Sequence, residues 1–142
     1  MMRLATVSIV AAVLLPVYAH AAAPNMKEGL WEITVRTEMQ GMPGGMPPQT
    51  VQQCITQKEL ADPSRTTPGT QGDKRCKITD YKMQGNTASW KTACEGDMTG
   101  SGTMTYAGSS YTGTQNMSMK HEGKTLNMTV NFTGRHLGDC KK

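Results

Sequence analysis

Ten methionines beyond the start of the chain and four cysteines hold most of the reactive capacity of this 142-residue sequence. Cys54, Cys76, Cys94 and Cys140 form an even set without any CxxC. Neither a redox dithiol nor a zinc knuckle is therefore indicated, and disulfides are the expected state. Of the three possible pairings, the expected one is Cys54–Cys76 with Cys94–Cys140. The first bridge would staple the segment between its cysteines. In the second, Cys94 shares strand parity with Trp90, and Cys140 is in phase with Val130, Phe132 and Gly134.

Met39, Met42 and Met46 lie in or beside the run Gly41-Met42-Pro43-Gly44-Gly45-Met46-Pro47-Pro48. Soft thioethers select Cu(I), so these three are the candidate metal ligands. Met98, Met104, Met117, Met119 and Met128 follow the apolar phase of their segments and read as core filler. Trp31, Trp90, Tyr106, Tyr111 and Phe132 are the candidate wall of an apolar ligand site.

Catalytic chemistry has little support. Beyond the leader only His121 and His136 remain, and no GxSxG, HExxH or paired-carboxylate pattern accompanies them. No catalytic residue is assigned and no cofactor is expected. Arg135 and Asp139 read as a surface pair. The triplets at Asn116, Asn127 and Asn131 match a glycosylation acceptor, but chance explains them in strands so rich in Asn and Thr.

The elements that must position these residues are strands. Polar and apolar residues alternate with period two over 30–39, 49–55, 76–83, 87–95, 97–107, 110–120 and 124–134. Turn chemistry separates them at Gly85-Asn86, Glu95-Gly96-Asp97, Gly108-Ser109-Ser110 and His121-Glu122-Gly123. Thr56-Gln57-Lys58-Glu59 is a capping box opening one short helix over 57–62, which Pro63 is expected to end. Residues 62–75 are rich in Pro, Gly and Thr and read as a connection. The fold class is all-β: an antiparallel meander of about seven strands, closed into a barrel or strongly curled.

Met1-Met2-Arg3, an apolar run from Leu4 to Val17 and Ala19-His20-Ala21 have the form of a secretory signal peptide over 1–21. Cleavage after Ala21 would leave a single domain, 22–142. No other segment is long and apolar enough to span a bilayer. The formal net charge of +4 is scattered, with Arg3 of the leader supplying one unit, so no basic face for nucleic acid is present.

Gly29-Leu30-Trp31-Glu32, the Gly-Met-Pro loop, Pro47-Pro48-Gln49-Thr50 with Cys54, Gly85-Asn86-Thr87 before Trp90, and Gly134-Arg135-His136-Leu137-Gly138-Asp139-Cys140 stand in an order that resembles domain-of-unknown-function family 3617, small exported proteins of Gram-negative bacteria. The resemblance runs from about Met26 to Cys140. It implies a periplasmic protein and supplies no activity and no catalytic residues. The expected function is thus non-enzymatic: a monomeric periplasmic module that binds an apolar small molecule. Cu(I) sequestration by the Met loop and docking to an envelope protein are the alternatives.

Overall fold

The structure is a computed structural model and describes residues 23–67 and 74–141. The predicted signal peptide lies outside the described residues. Seven strands form one antiparallel sheet: β1 (Gly29–Met39), β2 (Gln49–Ile55), β3 (Cys76–Gln84), β4 (Thr87–Cys94), β5 (Met98–Tyr106), β6 (Ser110–His121) and β7 (Lys124–Gly138). Their order across the sheet is β2-β1-β7-β6-β5-β4-β3. The meander from β3 to β7 follows the hairpin turns expected from sequence, with Gln84 paired to Thr87 around Gly85-Asn86. β1 then closes onto β7, the last strand, and carries β2 on its far side.

The sheet does not close into a barrel, because β2 and β3 are its free edges. It is curled. Val51, Gln53 and Ile55 of β2 line the same cavity as Met104 and Tyr106 of β5. Four strand spacings separate β2 from β5, about 19 Å if the sheet were flat. The two faces keep the predicted alternation. One buries Trp31, Ile33, Ile55, Ala88, Trp90, Met104, Tyr106, Tyr111 and Phe132. The other carries an unbroken row of threonines in register across six strands: Thr50, Thr34, Thr133, Thr112, Thr105 and Thr87. The hydroxyls of Thr34 and Thr50, and those of Thr87 and Thr105, lie 3.0 Å apart. β-Branched residues favour strands, and hydroxyls pair across them, so this face is stable in water.

Two bulges redirect side chains. Thr79 pairs with Lys91 but Lys82 with Ser89, so Asp80 and Tyr81 together face one partner residue, and Asp80 takes φ +52. This extra residue lets Ile78, Tyr81 and Met83 all pack against the core. A second irregularity lies where Leu30 pairs with Gly138 but Trp31 with His136.

The expected short helix is present and a second turn follows it, while two other expectations are corrected. α1 (Gln57–Leu60) opens on the predicted capping box, with both Thr56–Glu59 bonds formed. It stops at Leu60, and Pro63 opens a second turn, α2 (Pro63–Thr66), where its missing N–H costs nothing. Residues 135–138, read as tail, continue β7 and pair with β1. The disulfides join Cys76 to Cys94 and Cys54 to Cys140, not Cys54 to Cys76 and Cys94 to Cys140. Cys76 and Cys94 are directly opposed on β3 and β4, with Cα atoms 4.0 Å apart. Cys54 and Gly138 both pair with Leu30, from its two sides, and the chain beyond β7 turns across β1 to reach Cys54. The parity argument for Cys140 fails because the strand ends at Gly138.

Candidate ligand site

The curl leaves an apolar cavity of about 170 Å³ on the core face. β1 contributes Ile33 and Val35, β2 contributes Ile55, β5 Met104 and Tyr106, β6 Tyr111, and β7 Phe132. Period two accounts for this convergence: each of these residues occupies the inward phase of its strand. Thr66 of α2 and Met26, just before β1, close the remaining side. The connection from β2 to β3 must pass from one sheet edge to the other. Leu60 and Thr67, in its described part 56–67, are buried, so that part lies against the core face. Glu59 accepts from the Thr56 backbone and hydroxyl, which holds its carboxyl below the ordinary range and fixes the start of this cover.

Tyr106 and Tyr111 add phenol hydroxyls to a largely apolar wall that also carries Gln53 and Thr66. Their rings meet edge to face at 6.2 Å. Burial pushes the Tyr111 phenol up to about 12, and burial together with the neighbouring Tyr81 and Tyr111 raises Tyr106 further. Both are therefore neutral hydrogen-bonding groups at any physiological pH.

Three of the five aromatic residues expected to form the wall, Tyr106, Tyr111 and Phe132, do line the cavity. Trp31 and Trp90 are buried without lining it. Trp31 lies tilted against Tyr111 at 5.5 Å and meets His136 edge to face at 5.4 Å, and its Nε1 donates to the Lys27 carbonyl at 2.9 Å. It supports the wall from behind. Val35, Ile55 and Met104 were not anticipated as lining. Strand alternation gives their phase but not the curl that gathers them.

The remaining candidates separate. Met42 and Met46 are exposed in the loop, and Met39 ends β1 opposite Met128 of β7. His136 sits beside Trp31, its Nε2 at 2.9 Å from the Glu28 carbonyl, while His121 is at the turn from β6 to β7. Arg135 pairs with Glu32 across β1 and β7 at 2.7 Å, which replaces the expected pair with Asp139. The side chains of Asn116, Asn127 and Asn131 accept from Thr129, Ser118 and Thr114 on the threonine face. Among the described residues no three His, Cys, Asp or Glu side chains gather as a metal site, and no helix is long and apolar enough to cross a membrane. Two disulfides place maturation of the chain in an oxidising environment.

A family model described as "Protein of unknown function (DUF3617)" matches residues 26–140. No curated protein and no solved structure matches the chain.

Proposed function

The chain belongs to this family of proteins of unknown function, and we propose that it is a non-enzymatic binding module for a small apolar molecule, acting in the periplasm once its leader is removed. The observation that carries this reading is the 170 Å³ apolar cavity between strands that are distant in the sheet. Its size sets the ligand class. Drug-sized sites run from roughly 300 Å³ upward, whereas about 150 Å³ of apolar space accepts a benzene-sized guest. The fitting ligand is one ring or a short branched chain end, oriented by a hydrogen bond to a Tyr106 or Tyr111 hydroxyl. The paired cysteines and the leader-like N-terminus support the compartment.

Methyl NMR with a phenol probe tests it. Shifts are expected at Ile33, Val35, Ile55 and Met104, saturating with phenol concentration. Val35→Phe fills the cavity and should abolish them, at an overpacking cost of about 1–3 kcal/mol. Absence of saturable shifts in the wild type, or unchanged affinity in folded Val35→Phe, would overturn the reading.

A further inference from the structure

The threonine face is not an even surface. Two adjoining grooves, of about 440 and 530 Å³, lie on it and share Lys91, Ser101 and Asn116 in their walls. The bulge in β3 builds one bank of the first. Bulges re-aim side chains, and here Asp80, at φ +52, and Lys82 both line the groove. Asp80 holds Lys91 at 3.1 Å, while Lys82 has no ion pair among the described residues.

The floor of this groove is made of short neutral side chains. Ser89, Thr103 and Thr114 lie in one cross-strand row, and Lys91, Ser101 and Asn116 in the next. Elsewhere on the face hydroxyls are engaged by neighbours, as Thr34 is by Thr50 and Thr87 by Thr105. The hydroxyls of Ser89, Ser101 and Thr103 have no such partner among the described residues. Asn116 uses only its Oδ1, as acceptor from Thr129, which leaves its amide N–H groups for a ligand.

These groups select a ligand class. One lysine beyond a neutralised pair is too little charge for a polyanion such as nucleic acid. Unengaged hydroxyls and an amide match a hydroxyl-rich chain. Strand spacing repeats them every 4.8 Å or so, about the length of one sugar ring. Lys82, at the β3 end, matches a carboxylate.

We propose that this groove binds an acidic oligosaccharide lying across β4, β5 and β6. Ser89, Ser101, Thr103 and Asn116 hydrogen-bond its hydroxyls, and Lys82 pairs with a sugar carboxylate. The described aromatic residues all belong to the core, so no ring stacks on the sugar and binding is weak, with a Kd of about 1 mM. The site lies on the opposite face from the apolar cavity and does not depend on it.

Amide NMR titration of the folded, disulfide-intact protein with tetragalacturonate tests it. Saturable shifts are expected at Lys82, Ser89, Ser101, Thr103 and Asn116, and none at Ile33 or Phe132 of the cavity. Ser101→Glu sets a carboxylate in the groove and should weaken binding at least about 10-fold. Lys82→Gln should weaken it about 3-fold, as an exposed ion pair allows. Neutral cellotetraose should bind about 3-fold more weakly than tetragalacturonate and be indifferent to Lys82→Gln. Both substituted positions are exposed, and the wild-type shift map decides alone should either variant not fold. No saturable shift, shifts centred elsewhere, undiminished binding by folded Ser101→Glu, or the same shifts from sodium acetate at equal concentration would each overturn the proposal.

Discussion

Large side chains lie flat on this sheet because glycine sits beneath them. A Cβ added at Gly134 would fall on the Tyr111 ring, at Gly102 on the Trp90 indole, and at Gly113 against Met104. Each glycine occupies the inward phase of its strand and gives its surface to a neighbour's side chain, which compensates a strand for its weakest residue. Gly134→Ala is therefore expected to lift Tyr111 away from the sheet and into the cavity. The cost should be about 1–3 kcal/mol, read from the urea midpoint, with altered near-UV dichroism. The phenols give a second residue-scale prediction. Their folded pKa values are raised by burial, that of Tyr111 to about 12. The unfolded chain ionises near pH 10, while the fold retains the proton. The phenols' contribution to stability should then be flat below about pH 10 and fall above it, because the unfolded state binds fewer protons there. Urea titrations across that range, with phenolate absorbance in parallel, check the sign. A stability that rises above pH 10 contradicts it.

At the scale of elements, each disulfide fastens one of the two free edges. Cys76–Cys94 holds β3 to β4, and Cys54–Cys140 holds β2 to the chain beyond β7. The edges also differ chemically. β3 carries Lys77, Lys82 and a bulge, whereas β2, Gln49–Ile55, has no charge at all. Charges and bulges protect an exposed edge from unwanted pairing, so β2 depends more on its covalent tie. Loop closure predicts that losing the bridge of separation 86 costs more, about 4–5 kcal/mol against about 3 for separation 18. Serine pairs compared by urea unfolding test the order. Hydrogen exchange should quicken in β3 alone for Cys76→Ser with Cys94→Ser. The strands and their hairpins were legible in the sequence because alternation and Gly-containing turns are local signals. The tail of β7 was not, since Gly134-Arg135-His136 breaks the apolar phase and only pairing with β1 makes it a strand. The disulfide partners were hidden for the same reason. What brings Cys54 near Cys140 is the contact of the first strand with the last. The cavity wall was half legible: residue phase reveals burial, but the curl decides which buried residues share a space.

The whole molecule has two unlike ends. One holds the aromatic rings, the α1–α2 cover, the Cys54–Cys140 bridge and the apolar cavity. At the other gather the Gly/Pro/Met loop, the turn after β6, the Cys76–Cys94 bridge and Met128, which pairs with Met39 on one side and Met117 on the other. Along one whole face runs the threonine ladder, which keeps a single sheet wettable on one side and apolar on the other. The topology also dictates an order of events. β1 is delivered first by any N-to-C process, yet its longest partner, β7, is delivered last, and Leu30 must find Gly138. The β3–β7 meander assembles from neighbours as each emerges, while the β1–β2 hairpin waits for β7 to complete. Closure of that one long-range seam buries Trp31 and forms the cavity wall in the same step. Slowing of folding by mutations in that seam, such as Leu30→Ala, is the outcome expected from the loop-closure entropy of distant strands, and stopped-flow refolding checks it.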